Sequence, residues 1–145
     1  MNQNTLLTGI VLALSFVAVW LFVNYSFAAT SGWHLLAKRY RTTTSPHGPI
    51  LEWQVYRMGS LQETGITILT TSPLGLHLSR VDLFRPFHPP LLIPWHTITK
   101  VTEGRTWWGR QWVQLDLDGI TGLRVGIRAL RAMAPYLPPV ANAAA

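Results

Sequence analysis

LLTGIVLALSFVAVWLFVNYSFAA, residues 6–29, decides the architecture of this chain. The first charged side chain comes only at Lys38. Residues 6–27 would make about 33 Å of helix, enough for a hydrocarbon core of about 30 Å. The polar exceptions are mild: Thr8, Ser15 and Asn24, with Gly9 beside them. Hydroxyl side chains bond to their own helix backbone, and glycine is tolerated in lipid. Trp20, Tyr25 and, further on, Trp33 stand where an aromatic belt would meet the second interface. A cleaved signal peptide is the rival reading, because Ser26-Phe27-Ala28-Ala29 offers small residues for a cleavage site. Against it, residues 1–4 carry no basic side chain, and the apolar run exceeds the roughly 7–15 residues of a signal core. The expectation is one uncleaved transmembrane helix. Lys38, Arg39 and Arg41 follow the span and nothing basic precedes it. The positive-inside rule therefore puts the N-terminus outside and the remainder in the cytoplasm. Gly9 and Ala13, with Ala18 nearby, are small residues that would let another helix approach closely.

Beyond the anchor lie all twelve Lys and Arg and all six Asp and Glu, so the net charge of +6 belongs to the remaining domain-sized stretch. Such a domain is drawn weakly toward anionic headgroups. Positive-inside bias alone would give the same balance. No basic run extends beyond Lys38-Arg39-Tyr40-Arg41, and no nucleic-acid motif is present, so nucleic-acid binding is not expected. With no cysteine, disulfides, thiolate metal sites and cysteine nucleophiles are excluded.

Residues 32–41 read as a short helix lying on the membrane surface or on the domain. Trp33, Leu36, Ala37 and Tyr40 recur at i, i+3, i+4 and i+7 on one face, with the basic residues mostly on the other. Residues 42–49 are loop by composition. From residue 50 the apolar period becomes two. Strands are expected at 51–58, 65–70, 75–81, 91–95, 97–102, 111–117 and 122–127. The first two should form a hairpin around a turn at 59–64. Three prolines keep 85–90 out of any central strand. A helix over 128–137 and a loosely held tail should end the chain. Seven short antiparallel strands and one helix suggest a small barrel or two packed sheets.

The stretch GLHLSRVDLFRPFHPPLLIPWHTITKV, residues 75–101, resembles the middle of a bacterial pleckstrin-homology-like, or GRAM-like, domain. In that group a strand opening Gly-Leu is followed by a hydrophobic-Pro-Trp step and by an Ile at the start of the next strand. Here these are Gly75-Leu76, Ile93-Pro94-Trp95 and Ile98. The resemblance covers about residues 50–137, and the proline-rich insertion at 85–90 departs from it. It implies a mainly-β small barrel closed by a C-terminal helix, which binds lipid headgroups or proteins and only rarely catalyses. The expected chain is thus a single-pass membrane protein. Its parts are an anchor (1–30), a juxtamembrane helix and linker (31–49), a PH-like β domain (50–137) and a flexible tail (138–145). Pleckstrin-homology domains usually hold phosphoinositides through basic residues flanking the first hairpin loop. Only Arg57 stands there, and the 59–64 loop holds Glu63 without Lys or Arg, which speaks against specific inositol-lipid binding.

Three stretches are candidate contact sites. Arg105-Thr106-Trp107-Trp108-Gly109-Arg110 should be a hairpin tip. Either its tryptophans dock on a partner or enter the membrane interface, flanked by Arg105 and Arg110, or one Trp completes the core while the other lies flat on the surface. Pro86, Phe87, Pro89 and Pro90 form a stiff arm, either a partner contact or only a strand connection. Trp33, Lys38, Arg39, Tyr40 and Arg41 make the juxtamembrane set. The five histidines have no metal-ligand spacing, although His88 and His96 bracket the proline strand closely enough to approach each other. Glu52, Glu63, Asp82, Glu103, Asp116 and Asp118 are scattered, and neither a serine elbow nor a phosphate loop is present. No enzyme, metal or cofactor is expected. The expected role is a non-catalytic accessory subunit of a larger complex in the bacterial inner membrane, one possible host being an energy-converting assembly. The alternative is a tethered module that senses a lipid surface.

Overall fold

The computed structural model describes residues 2–44, 47–52, 54–62, 66–138 and 141–142. Helix α1 (Gln3–Thr30) is longer than the apolar run that specifies it. Thr8 donates to the Asn4 carbonyl and Ser15 to that of Val11, each at 2.8 Å, so the helix satisfies its own hydroxyls. It is the single helix among the described residues long and apolar enough to cross a membrane. Its last carbonyls, which have no partner within the helix, are met by the β domain. Ser60 donates to Thr30 O at 3.3 Å and Thr121 to Ser31 O at 2.9 Å. The corner that follows needs Gly32. Its φ is +80°, and a Cβ there would lie 2.9 Å from that of Thr121.

Helix α2 (Trp33–Tyr40) follows with the expected apolar face, and that face is turned into the domain. Trp33 and Leu36 are fully buried, with Ala37 and Tyr40 packed beside the core. Trp33 is therefore not an aromatic-belt residue. Its indole N–H donates to the Pro89 carbonyl at 2.9 Å inside the protein. Arg39 and Tyr40 do not reach toward a bilayer either, because both bond to Asp118 Oδ2, at 2.9 and 2.6 Å. These bonds hold the Asp118 carboxyl below its ordinary range, through Tyr40 first and then Arg39, and the bond to Asp118, with burial, raises the Tyr40 hydroxyl. Lys38 and Arg41 remain exposed.

The strands form two sheets. One is β1 (Ile50–Leu51), β4 (Thr67–Ser72), β5 (Gly75–Arg80) and β6 (Leu91–Ile93), in the order β1-β4-β5-β6. The other is β2 (Val55–Met58), β3 (Leu61–Gln62), β7 (Ile98–Arg105), β8 (Gln111–Leu117), β9 (Thr121–Val125) and β10 (Ala141–Asn142), in the order β10-β7-β8-β9-β2-β3. All pairings are antiparallel except β10 with β7. Helix α3 (Ile127–Met133) and a 3₁₀ turn at Ala134–Tyr136 close the domain, with Ala129 and Met133 buried and Tyr136 stacked on Trp95 at 4.9 Å. Leu69, Leu76, Leu78 and Ile93 of the first sheet meet Val113, Leu115, Leu117 and Leu123 of the second in one core.

Two expectations are corrected. The first strand is not continuous: residues 50–51 pair with β4, residues 55–58 pair with β9, and a register shift follows Val55. The chain thereby passes from one sheet to the other. The hairpin partner of β2 is the two-residue β3 across the Gly59-Ser60 turn, not the strand after residue 65. The expected strand position Trp53, the loop residues Glu63–Gly65 and most of the expected loose tail lie outside the described residues. Within the tail, Ala141–Asn142 pair with Thr102 and Glu103. No strand forms over 85–90, as the prolines require.

Candidate docking surface

The hairpin between β7 and β8 is closed by Thr106. Its N–H donates to the Arg110 carbonyl at 2.8 Å, its hydroxyl oxygen accepts from the Arg110 N–H at 2.9 Å, and Gly109 N–H donates to Thr106 O at 2.9 Å. Gly109 sits at φ +86°, so the turn ends in the left-handed region. Trp107 and Trp108 thus occupy a turn, not a strand. Neither completes the core, contrary to the rival reading: Trp107 is 92% exposed and Trp108 61%, their rings edge to face at 5.2 Å. Two bare indoles side by side make an exposed apolar patch, the kind of feature that marks interaction surfaces.

Behind the tip, strand order β7-β8-β9-β2-β3 builds a basic aromatic floor on the outer face of the sheet. Inward Val113, Leu115, Leu123 and Val125 leave Trp112, Gln114 and Arg124 facing out. Register sets Gly104 opposite Trp112, Gln114 opposite Arg124, and Arg124 opposite Arg57. Trp112 lies flat over Gly104, where a Cβ would stand 2.1 Å from its ring. The Arg124 guanidinium is 3.9 Å from the Trp112 ring centroid and reaches Gln114 Oε1 at 3.4 Å, while its Nε has no hydrogen-bond partner. Burial, and then the charge of Arg57, push the Arg124 pKa down. Among the described residues no carboxylate pairs with Arg57 or Arg124. Thr106, Trp108, Arg110 and Gln62 complete the walls of a cleft of about 190 Å³. Its chemistry suits an anion or a carboxylate-bearing surface laid against aromatic rings.

Of the expected contact residues, Trp107, Trp108 and Arg110 meet here, and Arg105 is exposed at the base of the tip. The proline arm lies elsewhere, along α1 and α2: Phe87 meets Tyr25 edge to face at 5.6 Å, and Pro89 holds Trp33. Gly9 has nothing within 4 Å of a built Cβ, and the helix around it and Ala13 is exposed. His88 and His96 do not meet. His88 is buried against Trp33 at 5.3 Å, and His96 is exposed in the turn before β7. Asp116 accepts from Gly119 N–H at 2.8 Å and Asp118 fastens α2, so both aspartates serve the structure. Trp112, Arg124 and Gln62 were missed from sequence. Trp112 and Arg124 lie in expected strands and Gln62 in an expected turn, and their convergence depends on strand order. Compared with protein-family models, curated proteins and solved structures, the chain finds no match.

Proposed function

We propose that the protein is a non-catalytic accessory subunit of a larger membrane assembly, held by α1 in a bacterial inner membrane with the β domain on the cytoplasmic side. The observation that carries this reading is the exposed Trp107-Trp108 tip beside the arginine-lined cleft. Tryptophan and arginine are the side chains that dominate binding energy where proteins meet. A partner presenting a carboxylate to Arg57 and Arg124 and an apolar pocket to Trp107 would satisfy both. The bare surface of α1 around Gly9 and Ala13 supports helix packing against a neighbouring subunit.

The pleckstrin-homology-like reading of the domain is supported by its strand path: the first stretch shared between two sheets, antiparallel neighbours after it, and a terminal helix. The cleft also favours the second reading, a module that takes an anionic headgroup. The two separate in one experiment. After mild-detergent extraction, the wild type should migrate on native gels within a large assembly. Trp107→Ser with Trp108→Ser should leave that assembly while its Tm stays within a degree or two of wild type, because neither ring packs in the core. Migration of the wild type as a free monomer in every mild detergent would refute the subunit reading.

A further inference from the structure

The connection between β5 and β6 is fastened on one side and bare on the other. A 3₁₀ turn at Asp82–Phe84 is followed by His88 N–H donating to the Arg85 carbonyl at 2.9 Å. Behind, His88 is buried on Trp33 and the Pro89 carbonyl takes the Trp33 indole N–H. In front, Leu83 is 62% exposed and Phe87 48%. Phe87 is held at φ +63°, a region that side chains bearing a β carbon seldom adopt, so the fold strains its backbone to turn this ring outward.

The bare side runs along α1. Phe84 stacks on Phe27 at 6.3 Å, and Phe87 meets Tyr25. Counted from the middle of the apolar run at 6–27, Tyr25 lies about 13 Å and Phe27 about 16 Å along the helix axis, which brackets the half-thickness of about 15 Å of a hydrocarbon core. Whatever surrounds α1 at that level also meets Phe87, which touches the helix there, and Leu83 stands exposed next to Phe84.

We infer that residues 83–87 form an apolar wedge seated in the bilayer boundary beside α1, so that the domain touches lipid a second time and cannot roll about its anchor. The occupant of this face is the glycerol and upper acyl region of phospholipid, continuous with the lipid around α1. Asp82 and Arg85, paired at 3.2 Å on the flanks of Leu83, belong in the headgroup layer and limit how deep the wedge sinks. A cleft of about 180 Å³ between Phe87, Tyr25, Ala28 and His34 leaves room for part of an acyl chain. The inference rests on α1 spanning a bilayer, as proposed above.

The chain has no cysteine, so single spin labels can be placed at will on the full-length protein in phosphatidylcholine–phosphatidylglycerol nanodiscs. Val17→Cys reports the middle of α1, Leu83→Cys and Phe87→Cys the wedge, and Leu74→Cys an exposed apolar residue on the turn between β4 and β5. Leu83 makes no core contact, so its variant reports even if Phe87→Cys folds poorly. The expected oxygen-to-nickel-chelate accessibility ratio at 83 and 87 is several-fold above that at 74 and below that at 17. A ratio at 83 equal to that at 74, with 17 still lipid-exposed, overturns the wedge alone. Shielding of 83 and 87 from both reagents would show a protein covering the face and also overturns it. Nickel access at 17 would remove the membrane span itself, and the wedge with it.

Discussion

Gly104 and His88 are the two positions where a single atom or proton should change behaviour most. A methyl group at Gly104 has no room under Trp112, so Gly104→Ala should push the indole off β7 and uncover the Arg124 stack. The expected loss is about 1–3 kcal/mol, as for other overpacked sites, together with a red-shifted tryptophan emission; an unchanged denaturation midpoint would contradict it. His88 is held down to about 4 from an ordinary 6.5, by burial first and then by the charge of Arg80, with the carbonyls of Pro86 and Phe84 acting the other way. The folded imidazole thus stays neutral where the unfolded chain takes up a proton. Stability is complete above the unfolded value and falls as pH drops toward the folded one, by up to about 3 kcal/mol. Thermal melts between pH 7.5 and 4.5 should show this slope, and His88→Phe should reduce it without removing it, because burial also lowers the His77 imidazole and adds a slope of the same sign; a wild-type Tm independent of pH across that window would contradict the assignment. The contribution of Asp118, whose carboxyl is lowered, is lost only at more acid pH.

Among the elements, α2 is the joint between α1 and the β domain. Its apolar face was legible from the spacing of Trp33, Leu36, Ala37 and Tyr40, but periodicity tells that a face is apolar and not what it meets. A membrane surface and a protein core are written alike in eight residues. The decision lies in distant partners, Pro89 for Trp33 and Asp118 for Tyr40, which no local pattern announces. The same reason hid the cleft. Alternation identified β8 as a strand, yet only the order β7-β8-β9-β2 brings Arg57, Arg124 and Trp112 together. The break in the first strand was invisible too, because residues 50–58 carry a continuous strand pattern across the point where the chain changes sheets. If α2 is a core element, Trp33→Ala should cost about 3–5 kcal/mol and expose the chain near residue 42 to limited proteolysis. Leu35→Ala, on the exposed side, should change little. Equal, small effects of both substitutions would mean that α2 merely rests on the domain.

As a whole molecule, the chain joins an exposed apolar rod to a packed β domain through a rigid corner. Ser60 and Thr121 cap the rod, Gly32 turns it, and Phe84 and Phe87 brace its side. These contacts hold the domain that carries Trp107, Trp108 and the arginine cleft against α1, which fits the bracing role proposed above. A flexible tether would lose that geometry to linker entropy. All of this depends on where α1 resides. Membranes carrying the full 16.3 kDa chain should be washed with alkaline carbonate and separated by centrifugation. An integral helix keeps the intact polypeptide in the pellet, beside a known membrane-spanning control. Release of the intact chain into the supernatant, with the control retained, would contradict the anchored reading.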